Sequence, residues 1–126
     1  MFSHVMVGSN DIDASRKFYD AVLGSIGYGP AVVDEKGRLF YLSPTGVFAI
    51  TKPIDGAPAT AGNGGTIGFN VKDPASVDAW HKAGVANGGK SIEDPPGVRE
   101  GGMGKMYLAY LRDPAGNKLC ALHRMG

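Results

Sequence analysis

Asp113-Pro114-Ala115-Gly116-Asn117-Lys118-Leu119-Cys120 reads as a tight turn opening into a strand. The proline presets φ to roughly −65° and the glycine two residues later supplies a permissive backbone. From Asn117 the side chains then alternate, as they do on a pleated strand. A second copy of the pattern, Ser43-Pro44-Thr45-Gly46-Val47-Phe48-Ala49-Ile50, lies earlier in the chain. Matching the two glycines gives an offset of 70 (116 − 46), which pairs Ile50 with Cys120.

Upstream of each turn the pattern is also doubled. A shift of 62 (66 − 4) aligns His4 with Thr66, Asp11 with Asp73, Phe18 with Trp80 and Gly27 with Gly89 without a gap. His4 to Gly8 is a short strand, and Ser9-Asn10-Asp11 is the polar cluster that accepts free N–H groups at a helix start. A helix over 12–23 follows, burying Ser15, Phe18 and Val22 with Ala14 and Ala21 beside them, exposing Arg16, Lys17 and Asp20, and ending at Gly24. Strands are expected over 30–34, 38–42 and 47–52. After a linker rich in Pro, Gly and Ala at 53–64, a strand over 66–71 leads to the cap Asp73, with Pro74 at the first helical position. This helix should bury Val77, Trp80 and Val85 and stop at Gly88-Gly89. Strands over 90–92, 105–111 and 117–122 complete the copy, with a loop over 93–104. The expectation is one domain of class α+β. Module one covers about 1–52 and module two about 65–126, two βαβββ units that together form a curved, mostly antiparallel eight-stranded sheet.

Composition narrows the partners. The 13 basic and 12 acidic residues are scattered, so no electrostatic footprint for nucleic acid or anionic lipid is present. Residues 1–13 lack the basic and apolar regions of a signal peptide, and no apolar run approaches the roughly 18 residues of a membrane span. The single cysteine permits no internal disulfide and suits a reducing, cytoplasmic setting. None of the glycine clusters among the 20 glycines has dinucleotide or Walker spacing. A small, neutral molecule is the expected partner.

The opening His4-Val-Met-Val with Asp11, Ser15, Phe18-Tyr19 and Leu23-Gly24, together with the closing Arg112-Asp-Pro-Ala-Gly-Asn-Lys-Leu, resembles the vicinal oxygen chelate superfamily. That group includes glyoxalase I, extradiol dioxygenases, and fosfomycin and bleomycin resistance proteins. The resemblance implies two modules curling around a cleft, where metal-dependent members hold a divalent ion with two side chains from each module. Carried over by position, the four places are His4, Ile50, Thr66 and Cys120. His4 is a good ligand and Cys120 offers a thiol in place of a carboxylate, but Ile50 has no donor and Thr66 is a weak neutral oxygen. A catalytic metal needs three or more competent donors, so no resident metal or other cofactor is expected.

Other residues are candidates for the ligand pocket. Arg99, in the loop over 93–104, could pair with a ligand carboxylate or simply be solvated. Of Tyr107 and Tyr110, one should line the cleft, and periodicity alone does not choose which. Cys120 is either a nucleophile beside His4 or a small buried hydrophobe, while His81 and His123 read as solvated. The resemblance implies either a small-molecule-binding protein of the bleomycin resistance type, with its ligand in the cleft or at a homodimer interface, or a glyoxalase-type lyase or isomerase using His4 and Cys120. A fold kept for assembly alone is the third reading.

Overall fold

The computed structural model describes residues Met1–Gly126. Its elements are β1 (His4–Gly8), α1 (Ile12–Ser25), β2 (Val32–Val33), β3 (Leu39–Ser43), β4 (Gly46–Thr51), β5 (Ile67–Asn70), α2 (Pro74–Ala86), β6 (Lys90–Gly101), β7 (Gly104–Arg112) and β8 (Lys118–Arg124). The class is α+β and the βαβββ order occurs twice, as the repeat requires. The eight strands form two four-stranded sheets, with orders β1-β4-β3-β2 and β5-β8-β7-β6. In each, the first strand runs parallel to the last and the other pairs are antiparallel.

Both helices start where their caps dictate. Asp11 accepts from the Ala14 N–H and Asp73 from the Ser76 N–H, and Pro74 opens the second helix. Phe18 and Trp80, the equivalent anchors, are both fully buried. One core cluster draws on both modules, taking Phe18, Tyr19, Val22 and Leu23 from α1, Val77 and Trp80 from α2, and inward side chains of both sheets. The helices can lie this close because Gly84 has no side chain. A Cβ there would stand 2.3 Å from Leu111 Cδ1 and 3.2 Å from Val22 Cγ1.

Several local expectations change. Helix α1 runs past Gly24 to Ser25, and the left-handed residue that turns the chain is Gly27, at φ 100°. Val85 is 49% exposed because the helix instead turns Gly84 toward its neighbour. Asp20 does not face water alone, since its carboxylate accepts from Tyr41 O–H and Ala31 N–H. Strand β2 shrinks to two residues, whereas β6 takes in most of the expected loop over 93–104 through a bulge between Ile92 and Gly97.

The closing turn organises the junction between modules. Asp113, 5% exposed, accepts the Tyr19 O–H at 2.5 Å, the Ala115 and Asn117 N–H groups, and the Asn117 amide. The Asn117 amide also donates to the Gly8 carbonyl, tying the start of β8 to the end of β1. Burial next to the Asp113 carboxylate pushes the Tyr19 hydroxyl well above its ordinary range, so it stays a proton donor. The linker is strapped down as well. Asn10 exchanges two hydrogen bonds with the backbone of Ala59.

Candidate functional site

Strand register decides which side chains can share a site, because one residue of slip carries a side chain to the opposite face. In the first sheet His4, Val47 and Leu42 form one row across β1, β4 and β3, and Met6, Ala49, Phe40 and Val32 form the next. This face points away from the core cluster, and Met6, Leu42 and Val32 are 39%, 58% and 53% exposed. Ile50 points the other way. It is fully buried in the core and is not on the face that carries His4, so the expected pocket role for Ile50 is corrected.

The error has a structural cause. Val5 pairs with Phe48 while its equivalent Ile67 pairs with Leu119, so the modules' last strands are offset by 71 (119 − 48). The first turn closes with Ser43 opposite Gly46, whereas the second closes with the Asp113 N–H donating to the Asn117 carbonyl. The second turn is thus one residue longer, and Gly116, at φ 94°, lies inside it. Cys120 is therefore the counterpart of Ala49, and Ile50 that of Ala121.

On the second sheet the matching row is Gly68, Cys120, Tyr110 and Ile92. Arg99 falls on the same face two rows on, with Met106 and Arg124. Tyr110 is the cleft-face tyrosine. Tyr107 faces the helix side and donates to Asp78 of α2 at 2.7 Å, a bond that raises its pKa. Arg99 is not free to swing onto a ligand, because its guanidinium donates to the carbonyls of Asp94 and Pro95 and braces the β6 bulge. Another cation on this face is Lys118, whose ammonium lies 4.8 Å from the Tyr110 ring centroid and pairs with Glu93. Glu93 is the one non-glycine residue at positive φ, 59°, a conformation that costs roughly 1–2 kcal/mol for an ordinary residue. Reading the loop over 93–104 as irregular hid both residues.

Burial pushes the Cys120 thiol up to about 11, with Tyr110 the one neighbour hydroxyl acting to lower it. The thiol stays protonated at neutral pH and only 4% exposed, which suits packing rather than attack. His4 is exposed, with Nδ1 facing Ser3 Oγ at 2.7 Å. Thr66 is exposed just ahead of β5. His81 and His123 are half-buried rather than solvated: His81 Nε2 meets Ser91 Oγ at 2.8 Å, and His123 Nδ1 meets the Val71 carbonyl at 3.0 Å.

A mostly apolar cavity of about 340 Å³ is lined by residues of edge strands β1 and β5. His4, Val47, Gly68 and Asn70 line its mouth, and Leu23, Tyr28, Tyr41, Phe48 and Phe69 carry it inward toward the end of α1. Phe48 and Phe69 meet edge-to-face, with centroids 5.2 Å apart. Cys120 is one strand away, beside Gly68, and does not line this cavity. The structure therefore does not bring His4 and Cys120 into one cavity within the chain.

Residues 1–121 match the family model described as Glyoxalase/Bleomycin resistance protein/Dioxygenase superfamily. The chain belongs to that superfamily. A crystal structure of a glyoxalase/bleomycin resistance protein from Albidiferax ferrireducens T118 is 62% identical, with a TM-score of 0.96 over 98% of this chain and 99% of that one. A glyoxalase-related enzyme from Fulvimarina pelagi (21% identity, TM-score 0.75, covering 98% and 88%) shares the fold. So does a lactoylglutathione lyase from Agrobacterium tumefaciens (23% identity, TM-score 0.68, covering 98% and 92%). No curated protein matches the chain in sequence.

For this member of the superfamily the four carried-over metal positions, once the register is corrected, are His4, Ala49, Thr66 and Cys120. They offer one imidazole, a methyl group, a neutral hydroxyl and a protonated thiol. No group of three or more His, Cys, Asp and Glu side chains converges anywhere in the structure. This donor set does not fit a resident divalent ion, which requires several deprotonated or lone-pair ligands at once.

Proposed function

We propose that this superfamily member is a small-molecule-binding protein that takes a partly apolar ligand into the cavity between β1 and β5. The observation that carries the reading is the cavity itself. Its volume of about 340 Å³ and its lining, ten apolar residues among sixteen with His4 and Asn70 as polar marks, have the character of a ligand site. The alternative, a lyase or isomerase acting through His4 and Cys120, is less well supported, because those groups line different surfaces and the thiol is held protonated.

The exposed apolar face of the first sheet also supports a homodimer, since a second copy would withdraw Met6, Leu42 and Val32 from water. Two measurements test the proposal. Gly68 has open space where a Cβ would stand, so Gly68→Leu should fill the cavity mouth without straining the fold. Binding of an apolar aromatic probe such as 1-naphthol, followed by calorimetry, should be lost in that variant and weakened in Phe69→Ala. Stoichiometric Ni, Zn or Fe in the purified protein, together with turnover of a methylglyoxal–glutathione hemithioacetal, would sink the reading.

A further inference from the structure

Lys118 is the best-prepared cation in the molecule. It leaves β8 on the cleft face of the second sheet, its side chain is 24% exposed, and its ammonium lies over the Tyr110 ring while paired with Glu93. The carboxylate beside it comes from Glu93, which reaches Lys118 only because the β6 bulge holds its backbone at φ 59°. Arg99 in turn clamps that bulge by its bonds to the Asp94 and Pro95 carbonyls. In the next row of the same face, beside Tyr110, Ile92 and Cys120 supply apolar surface.

We propose that Lys118 and Tyr110 form a subsite for a small organic carboxylate with an apolar tail, and that Glu93 is an internal stand-in which such a ligand displaces. A half-buried ammonium requires an anionic partner, and a ligand carboxylate satisfies it as well as Glu93 does. Displacement also frees Glu93 to leave its disfavoured backbone conformation, which offsets part of the lost ion pair. The tail then lies on Tyr110, Cys120 and Ile92, toward Gly68 and the mouth of the cavity. The subsite deepens the small-molecule-binding reading and rests on it, supplying the chemical class that the apolar cavity alone does not.

The test is a titration of the isotopically labelled full chain with phenylacetate, phenylacetamide and inorganic phosphate at low ionic strength, followed by amide NMR. Phenylacetate should shift residues of 90–99 and 118–122, and phenylacetamide should not. Glu93→Gln and Glu93→Gly should bind phenylacetate roughly two- to fivefold more tightly, the size of the competing surface ion pair. Glycine adopts positive φ freely, so Glu93→Gly keeps the bulge and a folding defect cannot imitate the outcome. Lys118→Met should abolish the shifts while leaving 1-naphthol binding intact. Equal binding of phosphate and phenylacetate, or no gain in either Glu93 variant, overturns the proposal. If phenylacetate perturbs only His4, Val47 and Phe69, the subsite is wrong and the cavity reading stands; if 1-naphthol also fails to bind, the cavity reading falls separately.

Discussion

Replacing Ile50 or its neighbour Ala49 with glutamate tests the strand register on which the whole site depends. Ile50 is fully buried against the core, flanked in register by Val7 and Leu39. In Ile50→Glu the lost apolar burial costs about 1.5–3 kcal/mol. The carboxyl must also stay neutral in the fold. Holding a group with an unfolded pKa of about 4.3 protonated at pH 7 costs about 3.7 kcal/mol at 1.36 kcal/mol per unit. The sum, ~5–7 kcal/mol, matches the lower half of the stability range of small domains. Ala49 is equally inaccessible as a methyl group, but its side chain leaves the sheet between Met6, 39% exposed, and Phe40, so a longer side chain carries its carboxylate out to water. Ala49→Glu should cost the monomer about 1 kcal/mol, the span of strand preferences, with any loss of the proposed dimer read separately by gel filtration. The pH dependence has a definite sign. In Ile50→Glu the folded pKa lies above the unfolded one, so the charge-related penalty is absent below about pH 4.3 and grows as pH rises toward the folded value. Urea unfolding at pH 5 and pH 7, followed by the fluorescence of the single, fully buried Trp80, reads both effects. Equal stability of the two variants, or the reverse order, would refute the assignment of faces.

Three further outcomes follow from particular contacts. Tyr19→Phe removes the O–H bonded to the Asp113 carboxylate but leaves that carboxylate its backbone and Asn117 donors, so it should cost about 1.5–3 kcal/mol in urea unfolding; a loss below half a kcal/mol would show that the bond contributes little. Gly84→Ala should destabilise by about 1–3 kcal/mol in the same assay despite alanine's better helix propensity, because the new methyl meets Leu111 and Phe18; a stabilised variant would mean the helices can part without cost. With the thiol pushed up to about 11, Cys120 should react with iodoacetamide at pH 8 roughly 200-fold more slowly than a free cysteine, and its rate should keep rising past pH 9, where a free cysteine levels off. Rapid labelling at pH 7 would restore the nucleophile reading.

The parts of the fold legible in the sequence are those fixed by local chemistry. Asp11 and Asp73 cap helices because a short carboxylate satisfies free N–H groups in any context, and the 62-residue shift that aligned them also aligned Phe18 with Trp80. The site was less legible because face assignment depends on an exact residue count through a turn. Two Pro-x-Gly turns that look alike differ by one residue in how they close, and that residue moved Ile50 from the cleft to the core. Tyr19 is not among the buried residues expected of the first helix; the buried Asp113 supplies its hydroxyl with a partner across 94 positions, a pairing no local pattern announces. The role of Lys118 was hidden in the same way, since the glutamate it binds sits in a bulge read as loop.

With the register corrected, the duplicated modules can be compared row by row. Met6, Ala49, Phe40 and Val32 in the first sheet correspond to Gly68, Cys120, Tyr110 and Ile92 in the second. The backbone is the same and the chemistry differs. Phe40 and Tyr110 keep an aromatic ring at one position, and each carries a cation over its face, Arg38 at 5.5 Å and Lys118 at 4.8 Å from the centroid. Both cations are paired with a carboxylate, but Arg38 pairs with Asp34 only four residues away in the same hairpin, whereas Lys118 pairs with Glu93 across the sheet from a backbone held at positive φ. The first arrangement is a local turn clamp that needs nothing further to explain it. The second spends backbone strain to bring a carboxylate to a cation that a ligand could reach. That contrast, within one chain and on one duplicated frame, is why the proposed carboxylate subsite is placed on the second module.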